Sequence, residues 1–380
     1  MFGEVKQSIC EDSDKLYLDY NSTIKSIRDK IESKSESLEN LAEVHGGVGI
    51  NYLLREGVFK ESKTKNDNLI VIRGNDIQRY HLRNWLYFDK NHPEMKKREH
   101  RIIDPPIQKI VVQRIVAHIR DHIKITATID NMSSITFDTV ITIIPNNKED
   151  KYYLLGILNS DLISYYFYKI IYNNAIRSMD FVPGVAKLTP ILKVSNEEKK
   201  KISDMVKELT ELSQKVLNYN NNIQQVYEKY SGMKKTKFKE ILLNNFYKLL
   251  KKDKKIKIRD ICVESKDDLL IIQINEKDFL KLQIMDSNKR KYIFYFLDSL
   301  DIELLNISDK KIFQTFKELE IDDIEDIKAV NTVVEELEHY DSKLTLKQKI
   351  SVLENELNEK LYKLYGLNEE EIRYIKDSLV

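Results

Sequence analysis

Apolar positions along the chain change period twice, and those changes divide it. Leu16 to Glu43 repeats as a helix and forms a helical lead-in over residues 1–40, ending at a glycine turn of Gly46, Gly47 and Gly49. Short β-branched runs follow: LIVI from Leu69, IVVQRI from Ile110, IKITATI from Ile123 and TVITII from Thr139. Each is bounded by turn-forming Asn, Asp or Pro, the mark of strands. KYYLLGILNSDLISYYFYKIIY then reads as a helix apolar on nearly every side, as expected of one buried against a sheet. Leu188-Thr189-Pro190-Ile191 closes this block, residues 41–195.

From Glu197 the period lengthens. Ile202, Met205, Leu209, Leu212, Val216, Tyr219, Ile223, Val226 and Tyr230 alternate steps of three and four, a heptad seam over residues 196–230. A second seam, Leu346, Ile350, Leu353, Leu357, Leu361 and Leu364, lies in residues 331–380. Within one chain the economical arrangement is an antiparallel helix hairpin; coiling between chains has the same period. Between the seams, residues 231–330 read as an inserted α+β module: a helix FKEILLNNFYKLLKK, strand-like DLLIIQI, FLKLQIM and KYIFYFL, then an acidic stretch. The fold class expected is α+β, a β-rich domain followed by long coiled-coil-like helices carrying that module.

Composition narrows this little. The 380 residues suffice for two or three domains, 42% are hydrophobic, and no apolar run could span a bilayer. Two cysteines, Cys10 and Cys262, fit a reducing cytoplasm and argue against a disulfide framework or zinc knuckle. The start lacks the basic and apolar regions of a signal peptide. Charge is more telling. The net value is +1, yet from Arg73 to Lys124 basic residues outnumber acidic ones about two to one, whereas Asp301 to Asp341 is strongly acidic. A local positive field, rather than a positive total, is what phosphate binding needs.

Sequences that imitate catalytic motifs fail on context. Asp104-Pro105-Pro106-Ile107 resembles the turn that holds a flipped base in amino-methyltransferases, but Ile107 offers no aromatic face for stacking. The charged MKKREHRII before it is no buried strand, and Gly46-Gly47-Val48-Gly49 follows a polar helix, the wrong setting for a nucleotide loop. His118 and His122 have no glutamate after the first histidine and lie in a strand-like run, so a metal pair is not expected. Asp260 with Glu264-Ser265-Lys266 has acids too closely spaced for a nuclease core. We expect no catalytic centre, metal or cofactor in this chain.

A family resemblance enters with the ordered series GGVGINYLLREGVF, NLIVIRGNDIQRY, KIVVQRI, ITATIDNMSSITFDTVITII, YYLLGILNSDLISYYFYKII and AKLTPI. Over residues 40 to 195 it resembles the TaqI-like C-terminal specificity domain of adenine-N6 DNA methyltransferases and fused restriction–modification enzymes. It is more distantly similar to the target-recognition domains of type I specificity subunits. The ILNS helix with its proline step and IRGNDIQRY are the most specific parts. The C-terminal NELNEKLYKLYGLNEEEIRYI is also similar to the tail of such proteins. The resemblance implies double-stranded DNA as ligand. It further implies a separate DNA methyltransferase carrying S-adenosylmethionine as partner, with a nuclease subunit as a further one, since the methyltransferase domain that precedes this region in complete enzymes is missing. A fragment of a split enzyme and a coiled-coil scaffold without DNA binding are the alternatives.

Arg reads guanine through two hydrogen bonds, and Asn or Gln reads adenine the same way. Arg73, Asn75, Gln78, Arg79, Arg83, Gln113, Arg114, Asn131 and Arg177 are therefore the candidate base-reading side chains. Lys96, Lys97, Arg98, Arg101, Lys109, Arg120 and Lys124 are candidates for phosphate. Tyr80 and Trp85 could pack against sugar or stack on an unpaired base, but Trp85 and Tyr87 read rather as core, and Gly74 and Asp76 as turn-formers.

Overall fold

The computed structural model describes residues 21–65, 67–89, 91–93, 97, 108–115, 124–174, 180–230, 234–251, 261–274, 277–300 and 311–379. Its α+β chain forms two compact units, residues 1–211 with 352–380 and residues 212–351. The boundaries at 211 and 351 fall inside the helices Asn196–Lys229 and Lys343–Tyr365.

In the first unit, helix Ser22–Ser33 starts where the Asn21 side chain accepts the Ile24 N–H at 2.9 Å, and it buries Ile24, Ile27 and Ile31. The helical lead-in expected to reach Glu43 stops at Ser33. Strand β1, Ser35–Ser37, and strand β2, Ala42–Gly46, follow it. β2 then enters a crowded turn. A Cβ on Gly47 would stand 1.9 Å from the Phe137 carbonyl oxygen, so only glycine fits.

The next strands are β3 (Asp67–Ile72), β4 (Ile77–Gln78), β5 (His81–Leu82), β6 (Leu86–Asp89), β7 (Lys109–Gln113), β8 (Ala127–Asp130), β9 (Ile135–Thr136) and β10 (Val140–Pro145). They make an antiparallel sheet in the order β2-β10-β7-β8, a second sheet β6-β3-β9, and a hairpin of β4 with β5. β9 runs parallel to β3, setting Val71 beside Ile135. β10 is buried on both faces along most of its length, which is why VITII does not alternate apolar with polar, and its one polar side chain, Thr142, is paired with the Thr136 hydroxyl at 3.1 Å. One core gathers Val48, Ile50, Leu53, Val71, Phe88, Ile135 and Phe137, and another Ile72, Ile77, Leu82, Val111 and Val140, with Trp85 packed on the latter.

The apolar segment after Lys151 is two helices, Lys151–Leu158 and Asp161–Tyr166, rather than one. The break has a chemical cause. Asn159 turns its amide onto the backbone of β8, and the Ser160 hydroxyl caps the second helix by accepting the Ile163 N–H at 3.2 Å. Strand β11, Pro190–Leu192, returns to pair antiparallel with β1. Tyr365, from the Leu-Tyr-Gly-Leu tail, is buried and donates to the Pro190 carbonyl at 3.2 Å.

The long helices meet within each unit with the start of one beside the end of the other, the antiparallel sense. Glu198 pairs with Lys360 at 2.5 Å in the first unit, and the Lys343 ammonium lies 6.0 Å from the Tyr219 ring centre in the second. Ile202, Leu209, Leu212, Tyr219, Ile223 and Val226 of the first seam are buried.

The second unit carries β12 (Lys235–Lys237), β13 (Tyr247–Leu249), β14 (Ile261–Lys266), β15 (Leu269–Ile274), β16 (Lys277–Gln283) and β17 (Glu320–Asp322). Four of them form an antiparallel sheet, β13-β16-β15-β14, and β12 pairs with β17. KYIFYFL, expected as a strand, lies in helix Ser287–Asp298. Its aromatic and β-branched residues are buried on most sides and so lack alternation, and the Asp286 side chain starts the helix by accepting the Lys289 N–H at 2.8 Å. The helix FKEILLNNFYKLLKK ends at Asn244, and its Tyr247–Leu249 stretch is β13.

Candidate nucleic-acid interface

Strand register sorts the sequence-selected side chains. Pairing Val140 with Gln113 and Val112 with Ala127 brings the end of β7, the starts of β8 and β10, and the glycine turn after β2 to one end of the four-stranded sheet. The turn between β3 and β4 docks there too: the Gly74 N–H donates to Thr139 Oγ1 at 3.0 Å, and a Cβ on Gly74 would come within 2.8 Å of the Thr139 carbonyl. Gln113 Nε2 donates to the Ile77 carbonyl at 2.9 Å, joining β7 to β4. Arg73, Gln78, Gln113 and Arg114, all half-buried, therefore converge at this end. Asn75 is exposed between them, and so is Arg83, whose backbone N–H donates to the Asp76 carbonyl at 2.8 Å. Lys124 is exposed just ahead of β8.

Internal partners hold several of these groups. Arg73 donates to Asp76 through Nε at 2.8 Å and Nη2 at 2.6 Å, and this contact raises its pKa further above the usual arginine value. Arg114 donates through Nη1 to the Asp138 carbonyl at 3.0 Å and through Nη2 to Asp180 at 3.1 Å. Arg79 is turned inward: its side chain is 14% exposed, and it contacts the Asn159 carbonyl at 2.5 Å and Glu354 at 3.2 Å. Its neighbour Tyr80, at φ 69°, is buried and ends the β4–β5 turn in a left-handed conformation. Burial draws the His81 imidazole below its usual pKa, against a contact to the Arg79 carbonyl.

Lys109 and Asn131 belong to the opposite end of the sheet. Lys109 is 3% exposed, donates to the Ser134 carbonyl and pairs with the fully buried Asp130 at 3.3 Å. Burial lowers its pKa, with Asp130 opposing. Neither Lys109 nor Arg79 faces solvent. Asn131 is exposed in the loop after β8, and Lys97 is exposed away from these strands in sequence. Lys96, Arg98, Arg101, Arg120 and Arg177 lie outside the described residues, as do His118, His122, Asp260 and the Asp-Pro-Pro-Ile turn.

Residues 69–181 match the model of the TaqI-like C-terminal specificity domain. Residues 69–181 form a TaqI-like specificity domain. This is the part of restriction–modification proteins that provides recognition of a DNA sequence. A sequence comparison with curated proteins finds no match. Among solved structures, the type I restriction–modification S subunit from M. genitalium aligns over 91% of this chain and 96% of its own at 10% identity, with a TM-score of 0.38. The HsdS subunit from Thermoanaerobacter tengcongensis aligns over 90% and 95% at 10% identity and TM-score 0.29. The type IIG restriction endonuclease BpuSI aligns over 50% and 28% at 12% and 0.31. The assignment rests on the family match.

The specificity domain's most characteristic residues build its frame. In IRGNDIQRY, Arg73 and Asp76 clasp a turn that Gly74 lets approach β10, and Arg79 anchors the β4–β5 turn. In ILNS, Asn159 locks its helix onto β8 and Ser160 caps the helix that follows. Sequence reading did not single out Asp138, Asp180, Asn159 or Glu354 as partners of these groups. Only the Arg73–Asp76 spacing was local enough to betray its pairing. Among the described residues no helix is long and apolar enough to cross a membrane, and no cluster of His, Cys, Asp and Glu could hold a metal.

Proposed function

We propose that this chain reads a short double-stranded DNA site for a restriction–modification system through the sheet end where Arg73, Asn75, Gln78, Arg83, Gln113 and Arg114 converge. That convergence, within a TaqI-like specificity domain, carries the reading: base-edge readout needs Arg, Asn and Gln gathered on one rigid face. Exposed Lys124 supplies charge for an adjacent phosphate.

In this reading the chain is the non-catalytic specificity part, and the reaction belongs to a separate adenine-N6 DNA methyltransferase, with a nuclease as a further partner. S-adenosylmethionine would bind that methyltransferase and supply the methyl group. The two long helices, within each unit held side by side, would serve as spacer and docking surface.

The test is selection of bound sequences from random duplex DNA by the purified full chain, alone and with a methyltransferase encoded beside it, at two salt concentrations. One enriched short motif, with affinity falling steeply as salt rises, supports the reading. No enrichment under either condition overturns it in favour of a protein-binding scaffold.

A further inference from the structure

The Arg73–Asp76 pair has a geometry that goes beyond closing a turn. Asp76 takes the guanidinium side-on, accepting Nε on Oδ2 at 2.8 Å and Nη2 on Oδ1 at 2.6 Å, while Oδ2 also accepts the Arg73 backbone N–H at 2.8 Å. The acid's side chain is 3% exposed and the arginine's 30%, so the carboxylate lies beneath and the guanidinium reaches solvent.

A guanidinium has two edges that make paired hydrogen bonds: a side edge of Nε with one Nη, and an end edge of both Nη groups. Asp76 occupies the side edge. The end edge has no partner among the described residues. That edge matches the O6 and N7 acceptors of guanine in the major groove. Two other arginines near this end differ. Arg114 uses both Nη groups on Asp138 and Asp180, and Arg79 is enclosed by Asn159 and Glu354.

We propose that Arg73 reads one guanine of the recognised site through its Nη1/Nη2 edge, and that Asp76 is the positioning residue that fixes which edge is presented. This rests on the DNA-reading function above. A buried acceptor holding the side edge removes the rotamer freedom that a long side chain would otherwise lose on binding.

The experiment is sequence selection on random duplex DNA by the full chain, in the presence of its methyltransferase where binding requires one, for the wild type, Arg73→Gln and Asp76→Asn. Binding of the wild type and Arg73→Gln to the selected duplex would then be measured with 7-deazaguanine at each guanine in turn. The wild type should select a motif containing a guanine whose preference falls about tenfold or more in Arg73→Gln. Asp76→Asn should relax the same position and leave the other positions within about twofold, with the salt slope unchanged. Replacing that guanine by 7-deazaguanine should weaken the wild type and leave Arg73→Gln unaffected, a readout that does not depend on the Asp76 variant folding. A motif in which Arg73→Gln keeps every guanine preference, or wild-type indifference to 7-deazaguanine at every position, overturns this inference and leaves the DNA-reading function standing. Loss of preference at all positions together with a lowered unfolding midpoint in both variants also overturns it, reducing the pair to a structural clasp. A wild type that selects no motif overturns the DNA-reading function itself.

Discussion

Asn159 satisfies both backbone groups of Ala127: its Oδ1 accepts the Ala127 N–H at 2.9 Å and its Nδ2 donates to the Ala127 carbonyl at 3.0 Å. The side chain acts as a one-residue strand at the start of β8, joining helix Lys151–Leu158 to the sheet. Its own backbone carbonyl receives Arg79, so one residue ties the sheet, the helix and the β4–β5 turn. Asn159→Ala leaves the buried Ala127 N–H unpaired, while the Ala127 carbonyl keeps the Tyr80 N–H at 3.1 Å, and we expect a loss of about 1–3 kcal/mol. Asn159→Asp keeps the acceptor, lacks the donor and adds a buried charge, so it should cost at least as much. Denaturant midpoints at constant slope check both, and a loss under about 1 kcal/mol for each would refute the role.

Lys109 and Asp130 make a different kind of prediction, because both are sealed from water. Asp130 also accepts from Met132, and from the backbone and hydroxyl of Ser134, so it shapes the loop after β8. Lys109→Ala strands the carboxylate inside the sheet and should cost about 3–5 kcal/mol, read as a lowered unfolding midpoint. A midpoint equal to that of the wild type would mean that the loop satisfies Asp130 unaided.

Salt dependence separates the buried cations from the exposed ones. Lys124→Ala should reduce the slope of log affinity against log salt by about one, with little change in stability. Arg79→Met should leave that slope unchanged and lower stability, because its guanidinium faces Asn159 and Glu354. Titrating DNA binding from low to high salt decides between them. An Arg79→Met slope reduced like the Lys124 one would place Arg79 at the phosphates.

The last described helix, Glu369–Asp377, predicts a pH limb. Burial pushes the Glu371 carboxyl up, but Lys30 at 2.7 Å, the Asn368 N–H and the Ser26 hydroxyl together outweigh it and hold the group below the ordinary glutamate value. A folded pKa below the unfolded one contributes stability that is complete above the unfolded value, near 4.5, and is lost as pH falls through the folded one. Glu371→Gln should lower the unfolding midpoint at pH 7 by the equivalent of about 1–3 kcal/mol and flatten the loss of stability below pH 4.5. An acid limb that survives in the variant would assign it to other carboxyls.

Much of the architecture was local enough to be read from the chain. The apolar runs that became β3, β7, β8 and β10 announce themselves by β-branched residues between turn-formers, and the heptad seams by their step of three and four. What period could not resolve was an element buried on every side. KYIFYFL has no exposed face to give it alternation or a polar stripe, so strand and helix leave the same imprint, and only packing over β14 and β15 chose the helix. The break at Asn159 was hidden for a related reason: an amide inside an apolar run looks like a tolerated polar residue until the strand whose backbone it satisfies is placed beside it.

The candidate interface divides along the same line. Sequence by itself determined the supply of Arg, Asn, Gln and Lys between Arg73 and Asn131, because composition and order need no fold. Which of them face solvent was decided by tertiary structure. Register set Lys109 against Asp130 at the far end of the sheet and brought Arg79 to Glu354 from a distant helix, and a charge that meets its partner in the interior is no longer available to a phosphate or a base. Arg73, whose acid lies three residues away, is the exception in which a local spacing fixes the guanidinium and the fold supplies the face it looks out upon.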